Sequence, residues 1–370
     1  MTPIENVRKI IESRHIDQVL LLFADLQGDM RAKYAVPEEL IREDHISWAD
    51  GISVDGSQIP CFNGIEGSEW MRIRPDLSRP ILMDWASGDS GNRTIGFLCK
   101  IAGYKYDPRG RAYDLQEKAQ DLGFVPYAGS KLHIKMGKSN NAVGSYAPVH
   151  MDATLNFRNL LVRKLVNIGI QIEYHYGENG NIMNIDFVPK PFALAADNVS
   201  ITKVVAYKLA ESLGTEISFE RQTMYTHFSL WKDGKNCFFN PSDRYELSEI
   251  GRKFIKGVLL ERTRIHGVAN PAGVLKEYLP RWSIKRDNSI IQVPMYFEEK
   301  KKRDRVGWSK RFIFRDLCAD SNPYIAFSYI AMAGLSRVLD KDLTTLIEDM
   351  AEMYRLTKLK ARKRISGKSK

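Results

Sequence analysis

The chain lacks any apolar run approaching the roughly 18 residues that a membrane-spanning helix requires, so no membrane partner is expected. Cysteine is scarce. Cys61, Cys99, Cys237 and Cys318 are scattered without metal-type spacing. They read as reduced thiols, Cys237 and Cys318 as packing residues, rather than as a zinc site or a disulfide framework. The opening "MTPIENVRKIIESRHID" mixes charges throughout and has no secretory core, so a cytoplasmic location is expected. Zinc-finger, RNA-recognition and dinucleotide-binding signatures are absent, as are internal repeats. What is there is an ordinary globular mixture of 370 residues, 44% hydrophobic and 27% charged, enough for one large domain or two. The formal charge of +10 concentrates in 298–311, "EEKKKRDRVGWSKR", and in the tail "KLKARKRISGKSK". A terminal basic run of this kind reads as a solubilising, flexible extension, and nucleic acid is not expected as a partner.

Periodicity organises the rest. "QVLLLFADLQGDMRAKYAVP" predicts two strands around a Gly turn, with Pro37 opening a helix over "EELIRED". "GISVDGSQIPCF", "PILMDWAS" and "IGFLCKIA" supply further strands. Near residue 105 the pattern turns helical over "PRGRAYDLQEKAQDLG", ending at Gly123, and a domain boundary is placed there. Beyond it, helices are expected over "DATLNFRNLLVRKLVNIG", with Asp152 as N-cap, and over "DNVSITKVVAYKLAESLG", also capped. Two more are "SEIGRKFIKGVLLERTRIHGVAN" and, from Pro323, "NPYIAFSYIAMAGLSRVL". "IQIEYHY", "NIMNIDFV", "ISF", "MYTHFSLW" and "CFFN" are the expected strands between them.

One strand stands out. In "GSKLHIKM", Leu132, Ile134 and Met136 alternate with Lys131, His133 and Lys135, so a strand here sets three basic groups on one face. Such a row suits an anionic ligand, a solvated surface, or a position where another residue type belongs.

The order of segments resembles the glutamine synthetase family. "FADLQGDMRAKYAVP" and "VDGSQIPCFNGIEGSEWMRIRPD" are similar to its small N-terminal domain. "GSYAPVHMDATLNFRN", "IDFVPKPFALAADNV", "HFSLWKDGKN", "HGVANP" and "RFIFRDLCADSNPYIAFSYIAMAGL" follow in the family's order, the last being the most specific. The resemblance implies an α+β fold. An N-terminal β-grasp domain (1–104) is followed by a catalytic-type domain (105–357) with a curved antiparallel sheet, a half-barrel or funnel flanked by helices, and then the basic tail (358–370).

The family phosphorylates glutamate with ATP and displaces the phosphate with ammonia. That chemistry needs two divalent metals on hard oxygen and imidazole ligands, with arginines on the phosphoryl group. By resemblance, the metal positions here are Lys131, His133, Tyr176, Asn184, Tyr225 and Ile313, where the family carries its carboxylates and a histidine. A lysine ammonium repels a cation rather than binding it. Asp287 and Gln292 stand at two of the family's arginines. In the flap, 274–284, Glu277 falls near a substrate arginine and Ser283 near the catalytic glutamate. What survives is Asp55, which in the family helps bind ammonium in a neighbouring subunit's site, with His227, Ser229, Arg311 and Arg315 on the nucleotide and phosphate side.

Each residue also has a structural reading. Asp55 beside Gly56 suits a turn. Arg315 can pair with Asp316 or Asp320, and His175 and His227 can be packed or hydrogen-bonded rather than ligating. The resemblance therefore implies a protein that has lost metal-dependent ATP:glutamate–ammonia ligase activity. Two roles are open: a non-catalytic paralogue with a structural, regulatory or metabolite-binding task, or an enzyme with metal-poor chemistry on another anionic or phosphorylated substrate. In the second, Lys131, His133 and Asp55 are catalytic candidates, and a desolvated Lys131 with lowered pKa is a candidate base. ATP is the one cofactor considered. Mg²⁺ or Mn²⁺ binding is not expected. The family's ring predicts a homo-oligomer, or co-assembly with an active glutamine synthetase, and an anionic small molecule as ligand.

Overall fold

The computed structural model describes residues 2–37, 51–83, 93–137, 146, 148–178, 181–269, 277–285, 287–295, 307 and 309–366. The helix expected after Pro37, much of "PILMDWAS", and most of 298–311 lie outside them.

Helix α1 (Pro3–Arg14) begins at a capping box: Glu5 N donates to Thr2 Oγ1, and Thr2 N to the Glu5 carboxylate. It leads into the first sheet, built from β1 (Gln18–Ala24), β2 (Met30–Ala35), β3 (Ile52–Val54), β4 (Met71–Pro75), β5 (Ile81–Leu82) and β6 (Thr94–Ala102). The order is β2-β1-β6-β4-β3, with β5 beside β6; β1 and β6 run parallel. The run Val19–Ala24 is buried at every residue, as a central strand covered on both faces requires. The β1–β2 turn carries Gly28 at φ +88, where a Cβ would sit 2.7 Å from the Asn322 backbone. Asn322 Nδ2 donates to the carbonyls of Asp25 and Leu26, so the hairpin tip is seated on a helix N-cap from the far end of the chain.

Helix α2 (Pro108–Asp121) then leads into the second sheet. Its strands are β7 (Val125–Met136), β8 (Ile172–Glu178), β9 (Ile182–Phe187), β10 (Lys190–Pro191), β11 (Ile217–Ser218), β12 (Met224–Lys232), β13 (Lys235–Asn236), β14 (Leu279–Ser283), β15 (Ser289–Gln292) and β16 (Phe312–Phe314). The order β14-β15-β16-β12-β7-β9-β8 puts β7 near the middle, with β10 and β11 also on β7 and β13 on β12. One face packs on α4 (Phe192–Ser212), α5 (Glu249–Leu260) and α7 (Pro323–Leu339). Phe228, Phe312, Phe254 and Phe327 fill that layer, ring to ring at 5.8–6.0 Å. Between α5 and α7 the backbones nearly touch: a Cβ on Gly257 would lie 2.2 Å from the Ala333 carbonyl.

Several expected boundaries move. Asp152 is not the N-cap of α3 (Leu155–Asn167); Thr154 is, and Asp152 accepts from Thr154 N at 3.0 Å and from Arg158 Nη2 at 2.8 Å. Helix α4 starts at Phe192, upstream of the expected Asp197, because "FALAA" carries good helix formers and the Asp197 carboxylate is claimed by a buried arginine. The long helix over 248–270 is two, α5 and α6 (Arg262–Ala269), separated at Glu261. "CFFN" is not a strand: Asn236 Oδ1 accepts from Phe238 N and turns the chain there. The flap residues 279–283 form β14, pairing parallel with β15; 274–276 lie outside the described residues. Helix α8 (Thr345–Ser366) runs through most of the stretch expected as a flexible tail, since no proline or glycine interrupts it before Gly367. The four cysteines are free thiols; Cys61, Cys99 and Cys318 are buried and Cys237 is partly buried.

Candidate functional site

Strand register assembles the site. Along β7, Lys131 lies opposite Asp186 of β9 and Tyr225 of β12, and His133 opposite Asn184. Asn184 in turn faces Tyr176 of β8, His227 faces Ile313 of β16, and Ile313 faces Gln292 of β15. Directly paired residues share a face, and successive ones alternate. Lys131, His133, Tyr176, Asn184, Tyr225, Ile313 and His227 therefore all lie on the face away from the phenylalanine layer. The apolar partners Leu132 and Ile134 are fully buried on the other side, as the alternation predicts.

A cavity of about 260 Å³ opens on this face, lined by Lys131, Tyr146, Tyr176, Glu178, Tyr225, His227, Gln292, Ile313 and Arg315. Lys131 is its central cation. Its Nζ donates to the Tyr176 hydroxyl at 3.0 Å, lies 3.4 Å from Asp186 Oδ2, and sits 5.1 Å from the Tyr176 ring centre. Burial alone lowers the pKa of such an amine, but the Tyr176 hydrogen bond and the Asp186 charge outweigh it and hold Lys131 above its usual value. Lys131 is thus not the low-pKa base considered from the sequence. Its two partners fix it as a cation.

His133, two residues along the same strand face, is buried. Its Nδ1 lies 2.9 Å from the Thr223 carbonyl and also contacts the Thr223 hydroxyl, its ring meets Tyr225 edge-on, and Nε2 is 3.9 Å from Glu178. Desolvation pulls its pKa below the usual value. His227 is driven well below its usual value by burial, with Arg311 and Lys131 adding repulsion. Both shifts favour the neutral imidazole.

Asp186 is pushed up to about 6, because burial outweighs the pull of Lys131; Glu173 adds to the rise and Arg311 opposes it. The folded chain therefore keeps a proton there that the unfolded chain loses near pH 4. Unfolding releases that proton, so this group's contribution to stability falls as pH rises from about 4 to 6. Across that window the wild type is expected to lose stability relative to Asp186→Asn, which has no proton to release. Urea midpoints of both proteins at each pH check this; parallel curves would contradict it.

Of the surviving family positions, His227 and Arg315 line the cavity, and Arg311 is close enough to act on His227 and Asp186. Arg315 lines the cavity, its Nη1 donating to the carbonyls of Asp287 and Ser289 and its guanidinium lying 5.0 Å from the Tyr278 ring; the Asp316 carboxylate instead meets His266 Nδ1 at 2.7 Å. Arg311 sits 3.6 Å from Glu173. Ser229 accepts from Trp231 Nε1. His175 accepts from Arg158 Nε, the hydrogen-bonded alternative to ligation. Asp55 is an exposed 3₁₀ N-cap, accepting from Ser57 N and Oγ, which depresses its pKa. Asp287 meets Arg281 at 3.2 Å, and hydrogen bonds from Ser289 help hold its carboxyl at about 2. Ser283 Oγ accepts from Lys285 N, and the Glu277 carbonyl accepts from Asn288.

Sequence reasoning missed Asp186, Glu178 and Tyr146. The signal for the first two was present: each lies two residues beyond a recognised position, Asn184 or Tyr176, and so on the same strand face. Tyr146 has no such signal, since it stacks on Tyr176 from a loop at 4.5 Å.

Residues 105–365 match the family model "Glutamine synthetase, catalytic domain". The chain belongs to the glutamine synthetase family. It is 28% identical to the glutamine synthetase of Thermotoga maritima over 372 residues, covering 91% of this chain and 81% of that one. The Pyrococcus furiosus glutamine synthetase is also 28% identical, covering 87% and 75%. Among solved structures, the Plasmodium falciparum glutamine synthetase superposes with a TM-score of 0.79 at 17% identity, covering 92% of this chain and 76% of that one. A GmaS/ADP complex gives the same TM-score at 15% identity and covers 98% and 96%. The architecture is the family's α+β fold with its curled half-barrel sheet, and the cavity lies on that sheet.

The divalent ions implied by the glutamine synthetase fold do not fit these residues. Lys131 brings a retained positive charge, Ile313 brings no donor atom, and the Tyr176 hydroxyl is engaged by Lys131, with its pKa raised by burial. Among the described residues no three His, Cys, Asp or Glu side chains gather around one point. Nor is any described helix long and apolar enough to cross a membrane.

Proposed function

We propose that this glutamine synthetase family member does not catalyse ATP:glutamate–ammonia ligation and acts as a non-catalytic paralogue that holds a small anionic metabolite in the former catalytic funnel. The observation that carries the reading is the Lys131 ammonium, fixed by Tyr176 and Asp186 on the strand where the family's chemistry needs metal ligands. A cation there repels the ions that the phosphoryl transfer depends on. On this reading the chain is cytoplasmic and assembles as a ring, with copies of itself or with an active glutamine synthetase.

A second reading is favoured by one observation. His227 is a neutral imidazole on the cavity wall, the state a general base needs, so an enzyme with metal-free chemistry on another anionic substrate is the alternative. γ-Glutamyl hydroxamate formation from glutamate, hydroxylamine and ATP, with Mg²⁺ or Mn²⁺, tests the first reading. No product above the protein-free blank is expected, and ATP titrations with Mg²⁺ and with EDTA should give the same heats. Hydroxamate formation together with Mg²⁺-dependent ATP binding would overturn it.

A further inference from the structure

Three polar groups on the cavity wall keep hydrogen-bonding capacity that the described residues do not fill. Lys131 uses two of its three N–H directions, toward Tyr176 and Asp186. Arg315 places Nη1 on two backbone carbonyls, leaving its remaining donors without a partner among the described residues. His227 is 7% exposed, and its Nδ1 has no partner among the described residues. A buried polar atom left this way costs about 1–3 kcal/mol, so its retention beside two cations points to a hydrogen-bonding partner that arrives from outside, an acceptor for the tautomer protonated at Nδ1. Two charged donors and one imidazole suit an oxyanion head group.

The rest of the wall sets the body of the ligand. Tyr146 and Tyr176 stack on each other at 4.5 Å with their planes 26° apart, and the Arg315 guanidinium lies 5.8 Å from the centre of the Tyr225 ring, also on the wall. Tyr176 is already covered by Tyr146 and Lys131, and Tyr225 by Arg315, so the free aromatic surface on the wall is the exposed Tyr146 ring, which favours a flat partner over a flexible chain. The volume, about 260 Å³, is at the small end for ligand cavities, which favours a small ligand. Glu178 is the carboxylate on the wall, and it repels a second negative charge.

We infer that the cavity is a metal-free site for a small planar carboxylate, with Lys131 supplying the fixed positive charge that a metal ion supplies elsewhere in the family. This rests on the proposed loss of metal chemistry and adds the ligand class. The carboxylate lies among Lys131, Arg315 and His227, and the flat body lies against Tyr146.

The test is calorimetric titration of the full chain with benzoate, acetate and L-glutamate, each in Mg²⁺ and in EDTA. Benzoate is expected to bind at least about tenfold more tightly than acetate or glutamate, with the same affinity in both buffers. Lys131→Met should weaken benzoate by about tenfold or more, while Lys131→Arg, which keeps the charge, retains most of the binding. Because Lys131→Met strands Asp186, Arg315→Gln is the second variant, and a loss of about tenfold is expected there too. Equal affinity for acetate, tighter binding of glutamate, absence of benzoate binding, or unchanged affinity in both variants would overturn the inference. The two proposals fail separately. Without hydroxamate formation, a silent benzoate titration removes only the planar carboxylate, whereas hydroxamate formation removes the loss of ligase chemistry itself.

Discussion

Asp197→Ala is expected to remove about 3–5 kcal/mol of stability, the largest single loss for any side chain considered. The Asp197 carboxylate is 1% exposed and accepts from Arg109 Nε at 2.9 Å and Nη2 at 3.1 Å, Arg79 Nη1 at 3.2 Å, the Tyr113 hydroxyl at 2.6 Å and the Tyr324 hydroxyl at 2.8 Å. These donors come from α2, α7 and the loop after β4, so one carboxylate joins the first sheet's connections to the helices beneath the second. Arg109, 5% exposed, also meets Asp76 at 3.3 Å. Without Asp197 it becomes a buried cation left with Asp76 as its one carboxylate partner among the described residues, and the Tyr113 and Tyr324 hydroxyls lose their acceptor. Asp197→Asn, which keeps the shape and loses the charge, should fall between wild type and alanine. Guanidinium unfolding curves for the three proteins check the order; an alanine variant within about 1 kcal/mol of wild type would refute the account of this cluster.

The second large effect comes from placing carboxylates at two positions that by resemblance match the family's metal ligands. Lys131→Glu combined with Tyr176→Glu is expected to make stability depend on a divalent metal. In EDTA the variant should be destabilised, because both new carboxylates would crowd Asp186 and Glu178. Mn²⁺ at a hundred times its dissociation constant should then recover about 2.7 kcal/mol, while the wild-type midpoint stays where it is in both buffers. Thermal unfolding with EDTA and with Mn²⁺ reads both. A variant indifferent to metal would mean that these positions do not converge where the family alignment puts them.

Much of the second sheet was legible in the sequence because alternation over "KLHIKM" and "MYTHFSLW" leaves little freedom: a slip of one residue would bury Lys131 and expose Leu132. The Asn-Pro-Tyr helix was equally plain, since Asn322 caps it and Pro323 fits its first turn. What failed were boundaries governed by side-chain partners. Asp197 looks like a cap locally, yet its carboxylate is drawn to buried Arg109, 88 residues away in sequence, whereas Asp152 is drawn to Arg158 in the first turns of the very helix it was expected to cap. The site followed the same division. Its strand residues could be placed by register, whereas the Asp186–Lys131 pairing is a contact between strands about fifty residues apart, and Tyr146 reaches the cavity from a loop with no period to read. The low-pKa reading of Lys131 failed for the same reason: desolvation was foreseeable, but the partners that outweigh it were not.

Mn²⁺ binding is the sharpest check on the proposal that a fixed cation, Lys131, stands where the family's chemistry needs a metal ligand. Electron paramagnetic resonance of free Mn²⁺, titrated into the wild-type chain at neutral pH, should show the ion remaining free throughout the micromolar range. Two ions per chain bound tightly in that range would contradict the account and restore the family's metal chemistry to this site.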